Sequence, residues 1–214
     1  MELPYSQEGI ILASDYYKDR DRILTVYTKD IGKIRAICRG SRSITSKLAP
    51  HLKVLDYVDL MLFDGKALIT ITKASEIRSF RNLKNDFERS AIALYAAELV
   101  NISTIERLPD QKIFNLLLDL FEYLDSKSIG KNAIPASEEI VLAFKLKLLD
   151  ILGLRPMEIA EDHKDGLRII EEGFSYLENI GWQAIGKEKL GKLLDHSLED
   201  ILNRQVMSFG KFIC

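Results

Sequence analysis

An α+β fold is predicted, with a five-stranded barrel over residues 1–80 followed by an all-α helical domain over residues 81–214. Three observations predict it. Up to about residue 80, β-branched and aromatic residues come in short runs; turns containing Asp and Gly separate those runs; beyond residue 80, apolar residues recur at three- and four-residue steps.

The strand runs are GIILASDYY (9–17), RILTVYT (22–28), KIRAIC (33–38), VLDYVDLMLF (54–63) and ALITITKASEI (67–77). Between them, Lys29-Asp30-Ile31-Gly32 and Asp64-Gly65-Lys66 supply the residues that tight hairpins need, because glycine reaches positive φ without steric cost. Five short strands in so short a stretch fit a small Greek-key barrel of the OB-fold type, whose closure removes exposed strand edges.

In the helical part, Asn85 followed by Glu88 has the form of a capping box, and Ile92, Tyr95, Leu99 and Ile102 mark the first stripe. Pro109 restarts the chain before a second stripe of Ile113, Leu116, Leu117, Leu120, Phe121 and Leu124. Ser137, Glu138 and Glu139 suit the start of a third helix, where negative charge meets the positive end of the helix dipole. That helix, running to about Gly153, is apolar nearly all round and is predicted to lie at the centre of its domain. Two further segments follow, around 166–180 and 188–203.

With 214 residues and 47% apolar content the chain can bury one substantial core or two small ones. The opening MELPYSQEG lacks a basic region followed by an apolar one, and no apolar run approaches the roughly 18 residues that span a bilayer, so a soluble cytoplasmic protein is expected. Cys38 and Cys214 make neither a disulfide framework nor a zinc-type pair.

Net charge is −2, which argues against a protein coated in basic groups. The average hides a gradient: residues 1–80 carry 13 Lys and Arg against 10 Asp and Glu, and the segment from Lys33 to Lys53 holds Lys33, Arg35, Arg39, Arg42, Lys47 and Lys53 with no acid at all. Alternation along a strand places Ile34, Ala36 and Cys38 on one side and Lys33, Arg35, Ile37 and Arg39 on the other. At about 3.3 Å per residue this row spans roughly 20 Å, enough to follow several phosphates. The loop Gly40–Lys47 adds Arg42, Lys47 and several hydroxyls, and both cations and hydroxyls serve phosphate oxygens. The candidate nucleic-acid contacts are therefore Lys33, Arg35, Arg39, Arg42 and Lys47, flanked by Arg22 and Lys53, with Tyr16, Tyr17 and Tyr27 as possible stacking faces. The same residues also fit an ordinary charged surface strand and barrel tyrosines.

Other patterns carry less. Gly181, Gly186 and Lys187 satisfy most of a GxxxxGK phosphate loop, but Glu188 stands where Ser or Thr would hold magnesium, and helical pattern precedes it where a strand is required. The Asp19, Arg20, Asp21, Arg22 quartet reads as a solvated turn. His51, His163 and His196 have no ligand-spaced neighbours, and no nucleophile with its base can be named, so no enzyme, cofactor or metal is expected.

Glu8-Gly9-Ile10-Ile11-Leu12, Asp21-Arg22-Ile23-Leu24-Thr25, Gly32, Arg39-Gly40 and Ser46-Lys47-Leu48 follow one another in an order and at a spacing that resemble the RecO family. The stretch from Phe144 through Gly153 to Pro156 is similar to that family's long helix and stop, and Leu202–Ser208 resembles its terminal motif. The resemblance implies an N-terminal OB-fold and a C-terminal helical domain. It also implies binding of single- and double-stranded DNA, annealing of complementary strands and help in loading recombinase on coated single strands. RecR and the C-terminal tail of single-strand-binding protein are the implied partners, at the nucleoid of a bacterial cytoplasm. Lys145, Lys147 and Arg155 are the cations of the helical domain available for such an acidic tail. Many relatives carry a four-cysteine zinc module after the stop, whereas Met157–Gly166 here has no cysteine, so a zinc-free form is expected. Two other readings stay open: a general single-stranded nucleic-acid-binding OB protein, and a protein–protein adaptor that binds no nucleic acid.

Overall fold

The computed structural model describes residues 3–43, 46, 48–65, 68–126, 137–155, 164–174, 177 and 184–202. Five strands come first along the chain: β1 (Tyr5–Tyr17), β2 (Asp21–Thr28), β3 (Gly32–Cys38), β4 (Tyr57–Asp64) and β5 (Ile69–Arg78). They close into a barrel in the order β1-β2-β3-β5-β4. All pairings are antiparallel except β3 with β5, where Ala36 and Ile37 lie beside Ile69 and Thr70 in parallel. The expected OB-type barrel is thus present. Ile11, Leu24, Val26, Ile34, Ala36, Cys38, Val58, Leu60, Leu62, Ile69 and Ile71 fill its interior, and the even-numbered residues of β2 and β3 are the inward ones.

The β2–β3 hairpin turns on Gly32 at φ +79°. A β-carbon there would lie 2.5 Å from the carbonyl oxygen of Leu108, so both the backbone conformation and the close approach of a neighbouring loop require glycine.

The helices are α1 (Arg81–Lys84), α2 (Phe87–Ser103), α3 (Gln111–Ser126), α4 (Ser137–Ile151), α5 (Lys164–Glu172) and α6 (Ala184–Leu202). The chain divides into two compact units: Met1–Phe80 with Ala97–Phe114, and Arg81–Ala96 with Asn115–Cys214. The barrel unit therefore includes the end of α2 and the start of α3, which a linear cut at residue 80 does not anticipate. Side chains explain the recruitment: the Tyr27 hydroxyl donates to the Asp110 carbonyl at 3.3 Å, and Tyr57 meets Phe114 edge-on at 5.8 Å.

Within the second unit, α4 buries Ile140, Val141, Leu142, Ala143, Phe144, Leu146, Leu148 and Leu149, in keeping with its near-continuous apolar sequence. The capping box expected from Asn85 and Glu88 is replaced by a different cap. Asp86 accepts from the Arg89 amide at 3.0 Å, which makes it the N-cap of α2, while the Glu88 carboxylate instead accepts from the Ser137 hydroxyl at the start of α4. Sequence spacing could not separate adjacent Asn85 and Asp86, because either side chain can cap. Gly181–Gln183 and Met157–His163 lie outside the described residues. Among the described residues no group of three His, Cys, Asp or Glu could hold a metal ion, and no helix is long and apolar enough to cross a membrane.

Candidate nucleic-acid interface

The predicted cationic row on β3 is interrupted. Arg35 and Arg39 are exposed, but Lys33 and Ile37 are buried. The outward face of β2 and β3 is covered near Lys33 by the end of α2 and the loop after it. The Lys33 ammonium donates to the carbonyls of Asn101 at 2.5 Å and Thr104 at 2.6 Å, and its own carbonyl accepts from the Arg107 amide at 2.9 Å. A cation at the C-terminal end of a helix satisfies carbonyls that have no partner further along. Burial pulls the Lys33 ammonium below the usual lysine range, with nearby Glu106 opposing. Lys33 is thus a structural clamp, a correction to its place in the row; alternation assigned its face, but not what lies against that face. Tyr27 is corrected similarly: it is fully buried, and burial pushes its phenol up to about 12, so it offers no face for stacking.

A tighter cluster forms at the barrel end where the β1–β2 turn meets the loop after β3. Asp21 accepts from the Gly40 amide at 2.8 Å, Arg22 Nε donates to the Ser41 hydroxyl at 3.2 Å, and the Arg42 amide donates to the Arg20 carbonyl at 3.0 Å. Gly40 turns at φ +63° to permit this. Arg42 then places its guanidinium 4.4 Å from the centre of the Tyr16 ring and donates to the Asp19 carbonyl at 3.1 Å. Register adds Arg22, because Tyr16 pairs with Arg22 and Arg22 with Cys38 across three strands. The result is an end of the barrel carrying Lys18, Arg20, Arg22, Arg39 and Arg42 against Asp15, Asp19 and Asp21, one of whose carboxylates is already engaged by Gly40. Arg39 and Arg20 have no ion pair or hydrogen bond to their side chains among the described residues, so their charge faces solvent.

Of the sequence candidates, Arg22, Arg39 and Arg42 belong to this cluster. Arg35 lies on the outer face, about 13 Å along β3 from Arg39. Lys53 is exposed on the segment entering β4, where Leu55 and Asp56 bond to Ile11 rather than to the Tyr16 end. Lys47 lies outside the described residues. Lys18 and Arg20 are members that sequence reasoning did not single out, Arg20 being read as part of a solvated turn; the bonds from Gly40 to Asp21 and from Arg42 to Arg20, which bring that turn beside the loop after β3, were the missing information. Cys38 sits beneath the cluster in the core, and burial pushes its thiol up.

The cations considered in the second unit are committed internally. Lys145 is buried, reaching Asp195 at 2.5 Å and lying 5.4 Å from the Tyr95 ring. Lys147 donates to the Ile170 carbonyl at 2.9 Å, and burial lowers its pKa. Arg155 is exposed and pairs with Asp150 at 3.2 Å.

Comparison with known proteins agrees with this architecture. Residues 1–80 match the family model for the recombination protein O N terminal, and residues 84–160 that for the recombination protein O C terminal. The DNA repair protein RecO of Alkaliphilus metalliredigens is 34% identical over 149 residues, covering 70% of this chain and 58% of that protein. That of Dehalococcoides mccartyi (strain BAV1) is 35% identical over 162 residues, 75% of this chain and 61% of the relative, and that of Symbiobacterium thermophilum is 33% identical over 152 residues, 71% and 58%. The chain thus spans about six tenths of the length of the curated relatives it matches. With two successive domain models and a barrel-then-helices order in agreement, the chain belongs to the RecO family.

Proposed function

We propose that this chain acts in DNA repair as a recombination mediator, binding single- and double-stranded DNA through the barrel, annealing complementary strands and aiding the loading of recombinase on coated single strands. The observation that carries the reading is the cluster of Arg22 at the start of β2 with Lys18 and Arg20 on the β1–β2 turn and Arg39 and Arg42 on the loop after β3, the turn and the loop tied to each other and placed beside an exposed tyrosine. Such a cluster neutralises phosphates and lowers the repulsion that keeps two strands apart. No covalent step is required, and the protein is proposed to act without catalytic residues or a cofactor. RecR and the acidic tail of single-strand-binding protein are the proposed partners. Of Lys145, Lys147 and Arg155, Arg155 is the most open to such a tail.

A strand-annealing assay tests this. The chain is expected to accelerate annealing of complementary oligonucleotides both bare and coated with single-strand-binding protein, and to lose the acceleration on coated strands when the coat protein lacks its tail. Equal acceleration with the tail-deleted coat contradicts that partnership. Binding without acceleration would instead favour a general single-strand binder, and the absence of any salt-sensitive affinity an adaptor. Recombinase loading on coated DNA, followed by DNA-dependent ATP hydrolysis, is expected to need this chain and RecR together.

A further inference from the structure

Tyr16 is 79% exposed, which is unusual for an aromatic residue in a barrel strand. Its position is nonetheless fixed. Backbone pairing with Arg22 holds the strand, and the Arg42 guanidinium lies over one face of the ring, itself held by the Asp19 carbonyl and by its own amide on Arg20. Cation–π attraction braces the ring from that side, and the exposure leaves the opposite face to solvent. Tyr17 also carries a cation, with Lys18 at 5.3 Å, but alternation points it to the other side of β1, so it does not extend this surface.

A flat aromatic face with cations around it matches one ligand chemistry: an unpaired nucleobase with its phosphates. A base inside a duplex has both faces covered by its neighbours and cannot use such a surface without being unstacked. We infer that Tyr16, braced by Arg42, is a stacking platform for an unpaired base, and that it confers on the barrel end a preference for single strands over duplex. This rests on the nucleic-acid reading above and adds a specificity-determining residue to it. Charge alone cannot supply that preference, since duplex and single strand both carry phosphates.

The test uses the full chain and three labelled probes read by fluorescence anisotropy: an oligothymidine, an abasic oligomer of the same length and charge, and a duplex. Tyr16→Ala is expected to weaken oligothymidine binding roughly tenfold while leaving the abasic oligomer and the duplex unchanged. Tyr16→Phe, which keeps the ring, is expected to bind oligothymidine as the parent does. Equal loss on the abasic oligomer overturns the inference, as does a Tyr16→Phe variant as weak as Tyr16→Ala, or oligothymidine binding that Tyr16→Ala does not change. If the parent chain binds none of the three probes, the nucleic-acid reading itself has failed, an outcome distinct from the loss of base discrimination alone.

Discussion

Arg39→Glu combined with Arg42→Glu is expected to lower affinity for a single-stranded oligomer on the order of a hundredfold at low salt and to flatten the dependence of affinity on salt. Each phosphate contact releases condensed counterions, so losing two should reduce the log–log slope by about 1.4 on single strands. Reversal exceeds simple removal because each new carboxylate repels the backbone it replaces a contact to. Arg39 is exposed and its side chain has no partner among the described residues, so its reversal disturbs little else. Arg42→Glu also removes the guanidinium from the Tyr16 ring, which adds to the effect on single strands. Arg35→Glu, on the outer face of β3, is expected to be much milder. Titrations at several salt concentrations check all three; unchanged affinity and slope in a folded Arg39→Glu/Arg42→Glu variant contradict the placement of the site.

Lys33→Met is expected to do the opposite, reducing stability and leaving the salt slope alone. The substitution keeps the buried stem but removes both hydrogen bonds to the end of α2, leaving the Asn101 and Thr104 carbonyls without that partner. Charged hydrogen bonds are worth about 1.5–3 kcal/mol each, and relief of the buried charge offsets part of the loss, so a net cost of about 2 kcal/mol is expected. In a chain of this length that lowers the melting temperature by about 4–8 °C. Thermal unfolding by circular dichroism, with a salt titration beside it, separates the two roles. A variant as stable as the parent but with a reduced slope would return Lys33 to the DNA-binding face.

These two substitutions mark where the sequence was legible. Alternation in Ile34, Ala36 and Cys38 correctly names the barrel interior, and the acid-free stretch contains Arg39 and Arg42, because both signals are local. Lys33 has the same strand parity as Arg35 and Arg39, yet its fate depends on Asn101 and Thr104, far along the chain. No local pattern encodes that contact. Lys18 and Arg20 were hidden for a related reason. Their turn is unremarkable until the Asp21–Gly40 and Arg20–Arg42 bonds bring it beside the loop after β3. The helix stripes were legible for the same reason as the strands, whereas the choice of Asp86 over Asn85 as cap turned on a one-residue difference that periodicity does not resolve.

Nucleic acid is proposed to sit at the barrel end formed by the β1–β2 turn and the loop after β3. Hydrogen–deuterium exchange with and without oligothymidine tests this placement most directly, because it reports location without altering a residue. Slowed exchange concentrated in residues 16–22 and 39–43 is the predicted result. Protection confined to the helices of the second unit, with those two segments unchanged, would contradict it.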